Sequence, residues 1–263
     1  MNVRFTKMHG AGNDFVMIDD REGRLPTDAG TIARLANRPD GVGCEGVILV
    51  RRSDRADFAM RFFNPDGSEA ELCGNGARCV AAFARAIGAA DADVMRFETL
   101  AGDVRAEIVG PGLVKVNMPA PKDLRENFVN SGVPHAIVPV ADLAAADVAG
   151  EGRRIRYSEA FAPAGTNVDF VAFVSDHVLD IRTYERGVEA ETFACGTGSV
   201  AAALVGVAQH GLSFPVDVRT SGGYTLTIDG RFDGTSFSDV TLTGPVQTVF
   251  RGEISVPAVP SGL

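Results

Sequence analysis

Glu69-Ala70-Glu71-Leu72-Cys73-Gly74-Asn75-Gly76 leads into Val80-Ala81-Ala82, and the same pattern returns late in the chain as Glu189-Ala190-Glu191, Cys195-Gly196-Thr197-Gly198 and Val200-Ala201-Ala202. A second echo precedes each: Ala11-Gly12-Asn13-Asp14-Phe15-Val16 reads like Ala164-Gly165-Thr166-Asn167-Val168-Asp169-Phe170-Val171, with two residues inserted. Two echoes in one order point to an old duplication and two related domains. The competing account is that glycine-rich turns before alanine-rich helices resemble one another by composition.

Outward from these stretches the chain reads mainly as strands. Apolar or alternating runs cover 4–6, 47–51, 58–63, 104–109, 113–118, 135–140, 168–174, 216–220, 224–228 and 240–243. Helical periodicity covers 27–37, 76–87 and 198–209. Strands cluster between helices instead of alternating with them, which predicts an α+β fold over a doubly wound parallel sheet. At 263 residues the chain accommodates two domains, and Pro119-Ala120-Pro121 is the best candidate boundary.

Each Cys-Gly-x-Gly stands immediately before a helix-forming run. Glycine lets the backbone turn tightly and approach a ligand. The opening N–H groups of a helix, lacking partners within it, favour negative charge. A substrate carboxylate can therefore lie on these groups, and a cysteine there is expected to ionise more readily. Two such turns face to face would put one thiol on each side of a carbon bearing a carboxylate. One thiolate would remove the α-hydrogen and the opposite thiol would return one, which is epimerisation. Taken singly, Cys73 or Cys195 reads equally well as a small buried hydrophobe. Cys44 and Cys79 read as packing residues.

The formal net charge of −9 and the absence of a long basic run argue against nucleic acid as a partner. No run reaches the roughly 18 apolar residues that span a bilayer. The first residues lack a signal-peptide apolar core, so the expected location is the cytoplasm, with reduced cysteines. Cys73 and Cys79 lack zinc-site spacing, so no metal is expected. Lys7, Lys115 and Lys122 are the only lysines, and none has a phosphate-binding context for pyridoxal phosphate. No cofactor is expected.

The chain resembles the diaminopimelate epimerase family along nearly its whole length. The stretches that carry the resemblance are Lys7-Met8-His9-Gly10-Ala11-Gly12-Asn13-Asp14-Phe15, Phe63-Asn64-Pro65-Asp66-Gly67-Ser68-Glu69, Glu71 to Cys79, Gly165 to Val171, Tyr184-Glu185-Arg186-Gly187-Val188, Ala194-Cys195-Gly196-Thr197-Gly198 and Thr243-Gly244-Pro245. The resemblance implies interconversion of LL- and meso-diaminopimelate without cofactor, in lysine and peptidoglycan precursor synthesis, by a homodimer. It implies two pseudo-symmetric domains of mainly antiparallel sheet, each wrapped around a central helix, with the site in the cleft. Residues 1–117 would carry Cys73, with the tail 245–263 packing back on them, and residues 118–244 would carry Cys195.

By the same resemblance Cys73 and Cys195 are the acid/base pair. Gly74, Asn75, Gly196 and Thr197 cradle the reacting carboxylate. Asn13, Asn64, Asn167, Glu185 and Arg186 hold the rest of the substrate, and His135 with Glu185 tunes a thiol. Arg186 can fork onto the distal carboxylate. One departure is visible: family members often carry Gly-Asn-Pro-His where this chain has Gly132-Val133-Pro134-His135. Val133 cannot supply an amide, so a backbone or water contact replaces it or specificity has moved. No binding is expected at Gly46. Three rival readings stand beside it: a two-thiol racemase for another amino acid, a catalytically silent binding protein on the same fold and, as a distant third, a metal-binding module.

Overall fold

The computed structural model describes residues 1–256. The chain forms two compact units, Met1–Val116 together with the segment from Val246 onward, and Asn117–Pro245.

The first unit contains β1 (Asn2–Gly10), β2 (Asn13–Asp19), α1 (Ala29–Ala36), β3 (Gly46–Arg51), β4 (Phe58–Phe63), β5 (Glu69–Ala70), α2 (Gly74–Ala86), β6 (Val94–Thr99), β7 (Gly102–Gly110) and β8 (Leu113–Asn117). The second contains β9 (Lys122–Arg125), β10 (Phe128–Asn130), β11 (Pro134–Pro139), α3 (Val148–Arg156), β12 (Asn167–Ser175), β13 (Val178–Glu185), β14 (Ala190–Thr192), α4 (Gly196–Gln209), β15 (Val216–Thr220), β16 (Thr225–Phe232) and the start of β17 (Phe237–Ser255). The far end of β17 pairs with β1, so that Asn2 faces Ser255 and Gly10 faces Val246.

The two units repeat one strand order. In the first, β1 pairs antiparallel with β2, β2 parallel with β3, β3 antiparallel with β4, β4 parallel with β6, and β6 antiparallel with β7. In the second, β10, β11, β12, β13, β15 and β16 pair in the same sequence of senses. A parallel pair needs a crossover, and α1, α2, α3 and α4 each lie within one. The expected α+β architecture is present, mainly antiparallel with two parallel pairs in each unit.

Each sheet is buried on both faces where the helices pack. In the first unit α2 contacts β1, β2, β3, β4 and β7, and in the second α4 contacts β10, β11, β12, β13, β15 and β16. Val47 and Leu49 of β3 join the α1 core with Val16, Ile18, Ile32 and Leu35. The intervening Ile48 reaches toward Gly76 of α2, where a Cβ would lie 2.8 Å from the Ile48 Cδ1. Burial on both sides explains why Val47-Ile48-Leu49-Val50 is an unbroken apolar run.

Topology corrects the second sequence echo. The 11–16 stretch builds β2, whose counterpart is β11, whereas the 164–171 stretch builds β12, whose counterpart is β3. Both stretches lead into buried strands of a parallel pair, and that shared environment produces the likeness. The Cys-Gly-x-Gly echo is a true equivalence, since it opens α2 and α4 alike.

Periodicity missed α3, because Gly150 and Gly152 dilute its helical signal. Gly152 is demanded by packing: a Cβ there would lie 2.6 Å from the Tyr184 Cβ on β13. Gly152→Ala is therefore expected to destabilise the protein by about 1–3 kcal/mol in denaturant unfolding. Gly110→Ala, whose Cβ meets nothing within 4 Å, should stay within about 0.5 kcal/mol of the parent.

Candidate active site

In the first unit Cys73 is the N-cap of α2, with an extended backbone (φ −129°, ψ 123°) and a side chain that does not cap the helix. Its Sγ lies 3.6 Å from the Asn13 Oδ1, which also accepts from the Asn75 Nδ2 at 3.4 Å. The Asn13 Nδ2 donates to the Glu45 carboxylate. Asn13, Cys73 and Asn75 are thus brought together, with Gly74 buried between the last two. Two glycines permit the approach. A Cβ on Gly10 would lie 2.8 Å from the Asn75 carbonyl oxygen, and Gly76 rests on Ile48. Asn64 has a local role, accepting from the Gly67 N–H and donating through Nδ2 to the Ser68 Oγ at 3.0 Å.

In the second unit Cys195 is the N-cap of α4 (φ −104°, ψ 113°), again without a side-chain cap bond. A buried chain of contacts leads to it. The Thr183 Oγ1 donates to the Asp169 Oδ1 at 2.7 Å, and the Asp169 Oδ2 lies 2.7 Å from the His135 Nδ1. The His135 Nε2 lies 3.0 Å from the Thr197 Oγ1, which is 3.5 Å from the Cys195 Sγ. The Ser131 Oγ donates to the Thr197 carbonyl at 2.8 Å, fixing the turn from the β10–β11 side. Asp169, His135 and Thr183 are all buried.

Asn167 is buried with both ends of its amide engaged: Nδ2 donates to the Pro134 carbonyl at 3.0 Å, and Oδ1 accepts from the Arg186 N–H at 2.8 Å. It anchors the turn that carries Arg186, whose guanidinium reaches the Ala164 and Gly165 carbonyls at 3.4 Å. Glu185, half-buried at the end of β13, accepts from the Thr192 Oγ1 at 2.9 Å.

Register aligns the halves residue by residue. Val47 pairs with Phe63 as Val168 pairs with Tyr184, so Ile48 corresponds to Asp169 and Asn64 to Glu185. Phe15 faces Gly46 as His135 faces Asn167. Counting on from each cysteine, Gly76 corresponds to Gly198 and Arg78 to Val200. Where Gly76 rests on Ile48, Gly198 rests on a carboxylate: its Cβ would lie 2.5 Å from the Asp169 Oδ1.

Electrostatics depart from the expectation that a helix N-terminus eases cysteine ionisation. The Cys195 thiol is pushed well above its ordinary range, first by burial and then by the negative charges of Glu185 and Asp169. The Thr197 hydroxyl and the Gly198 N–H oppose this and lose. Burial raises Cys44 and pushes Cys79 up to about 12, as suits core residues. Among the described residues no group of three or more His, Cys, Asp or Glu side chains is placed to hold a metal ion.

Sequence reasoning missed Asp169, Thr183, Ser131 and Arg78. Asp169 had a signal, since it interrupts the apolar run Val168 to Val171 at a position between buried neighbours. Arg78 had one as well, as a cation inside the apolar stretch Ala77 to Ala82. Nothing local marks Ser131 or Thr183.

The family profile described as Diaminopimelate epimerase matches residues 5–123 and 127–249. The diaminopimelate epimerase of Aquifex aeolicus is 44% identical over 278 residues, covering 96% of this chain and 98% of that protein. That of Chlorobaculum tepidum is 39% identical over 260 residues, covering 95% and 100%. Among solved structures, a phenazine biosynthesis protein of the PhzF family from Bacillus anthracis superposes with a TM-score of 0.75 at 17% identity, covering 97% of this chain and 100% of that one. A hydroxyproline epimerase from Agrobacterium vitis gives 0.69 at 19% identity, covering 96% and 92%. These two likenesses show the fold. The extent and identity of the sequence matches show the family: the chain belongs to the diaminopimelate epimerases.

Proposed function

We propose that the chain interconverts LL-2,6-diaminopimelate and meso-diaminopimelate, with Cys73 and Cys195 as its acid/base pair and without a cofactor. One observation carries the thiol assignment: at equivalent positions of two topologically matched units, a cysteine precedes a buried helix whose start its side chain leaves uncapped. Each unit is then one epimerase domain with one thiol.

The proposed chemistry pairs the two thiols. A thiolate takes the α-hydrogen as a proton, and the other thiol delivers a proton to the opposite face of the same carbon. The two sulfurs have exchanged protonation states, so the reverse reaction uses the same pair in opposite roles. Charge builds on the reacting carboxylate as the α-proton leaves. N–H groups of Gly74-Asn75 and Gly196-Thr197 stabilise it, because they are fixed before the reaction and lie at helix N-termini. His135, held by Asp169, orients the Thr197 hydroxyl at the Cys195 sulfur.

Arg186 takes the distal carboxylate, while Asn13, Asn64 and Glu185 offer oxygens to the distal ammonium. Asn167 serves through Arg186 by fixing its backbone. With Val133 half-buried and apolar, backbone groups or water complete the distal contacts. The same reading places the chain in the cytoplasm as a homodimer. The four free cysteines suit a reducing compartment, and the dimer follows from the family resemblance. The net charge of −9 disfavours nucleic acid, and no described helix is long and apolar enough to cross a membrane.

Reduced protein incubated with LL-diaminopimelate in D2O, without added pyridoxal phosphate or metal, is expected to form meso product deuterated at the inverted carbon. Cys73→Ala and Cys195→Ala should each lower the rate by about 10²–10⁴-fold or more; near-parental turnover in either overturns the two-thiol scheme. A charge test is independent of turnover. Glu185→Gln removes a negative charge that disfavours the Cys195 thiolate. Iodoacetamide should therefore alkylate Cys195 faster at neutral pH even as epimerisation falls, and slower alkylation in the folded variant would contradict the assignment.

A further inference from the structure

The two cysteine turns rest on buried groups of opposite charge. Beneath Gly198 is the Asp169 carboxylate, whereas its counterpart beneath Gly76 is the apolar Ile48. Five residues after Cys195 is Val200, whereas five residues after Cys73 is Arg78, whose guanidinium is wholly buried. Neither charge has an equivalent in the other half.

Arg78 is an unusual cation. A guanidinium stays protonated in proteins, and a buried charge is normally paired. Among the described residues Arg78 makes no ion pair. Its Nη1 donates to the Gly74 carbonyl at 3.2 Å and its Nη2 to the Asn75 Oδ1 at 2.8 Å, while its buried Nε finds no partner. Both contacts fall on the two residues that follow Cys73.

Charged groups on the elements packed against α2 are already engaged. Lys7 on β1 pairs with Asp14 on β2 at 2.6 Å, and Arg51 on β3 pairs with Asp20 at 2.6 Å. Arg61 on β4 pairs with Glu69 at 2.7 Å, Asp103 on β7 with Arg96 at 3.3 Å, and Glu107 on β7 with Lys115 at 2.7 Å. His9 accepts from the Gly12 N–H, Arg4 pairs with Glu253, and Glu45 accepts from Asn13. Burial disfavours the Arg78 cation, and what favours it is negative charge on Cys79 or Cys73. Cys79 is buried and held as a thiol, its pKa pushed up to about 12. Of the two thiols whose negative charge favours the cation, Cys73 is the one whose two following residues the guanidinium holds.

We propose that Arg78 is the built-in counter-charge of a Cys73 thiolate, a positioning residue that makes Cys73 the resting base while Asp169 and Glu185 keep Cys195 the resting acid. The proposal rests on the two-thiol reading and adds a polarity to it. The enzyme without substrate is then poised for one stereoisomer: Cys73 accepts the α-proton and Cys195 gives up its own.

The test is the pH profile of iodoacetamide alkylation at each cysteine in the full-length protein, with peptides resolved by mass spectrometry. In the parent the Cys73 midpoint should fall below the ordinary thiol value of about 8.5 and at least one pH unit below that of Cys195. Arg78→Met should raise the Cys73 midpoint by one unit or more, which is about tenfold slower labelling at neutral pH. Arg78→Lys should restore most of it, whereas a purely structural role for the side chain would leave the midpoint where it was. A parental Cys73 midpoint at or above the ordinary value overturns the proposal, as does an unchanged midpoint in folded Arg78→Met. The parental measurement decides even if that variant does not fold. The D2O assay on the same samples separates the two claims. A low midpoint without epimerisation keeps the ion pair and removes the activity, and epimerisation with an ordinary midpoint does the reverse.

Discussion

A helix begins with N–H groups that no residue of the helix can satisfy. Most helices meet this need with a side chain at the preceding position, as α1 does through Asp28, which accepts from the Thr31 N–H. At α2 and α4 that position holds a cysteine whose side chain does not cap, and the first turn is buried. Much of the surrounding structure makes such starts tolerable and useful. Glycines at 10, 76 and 198 let neighbouring backbone, Ile48 and Asp169 come close. Strands on several sides hold each helix in place. An anion arriving at these N–H groups meets dipoles already oriented, so little reorganisation opposes its binding.

The repeated strand order supplies equal scaffolds, and the differences lie in which side chains fill equivalent positions. Ile48 against Asp169, Phe15 against His135, Asn64 against Glu185 and Arg78 against Val200 are substitutions between polar and apolar, or neutral and charged, on the same backbone frame. The two thiols we propose as acid and base need not have the same surroundings. Burial and two carboxylates oppose the Cys195 thiolate, while the Cys73 turn is laid over a buried cation.

What the sequence made legible was local. The Cys-Gly-x-Gly pairs could be read as helix starts because glycine, cysteine and the alanine-rich run are contiguous. Strand β15 could be read because apolar and polar residues alternate over 216–220, and β4 because 58–63 is an apolar run broken only by Arg61. What stayed hidden depends on partners far along the chain. Helix α3 is intelligible only with Tyr184 against Gly152. The link from Asp169 to His135 requires the parallel register of β11 and β12. The second echo misled because two strands in similar surroundings converge on similar residues, and only pairing shows that β2 and β12 hold different places. The thiol of Cys195 departs from the rule for helix starts, since burial and the charges of Glu185 and Asp169, all set by the fold, outweigh the Thr197 hydroxyl and the Gly198 N–H.

One feature of the first unit reaches beyond the folded state. Its opening strand, β1, is paired on one edge with residues 246–255, so that edge stays vacant while most of the chain is being made. The second unit, Asn117–Pro245, is by contrast continuous and complete in sequence before those residues emerge. Synthesis from the N-terminus therefore reverses the order in which the two units can be finished. The half carrying Cys195 can close first, and the half carrying Cys73 must keep an unpaired strand edge available, an exposure that favours wrong pairing, until the ribosome has delivered the strand that seals it.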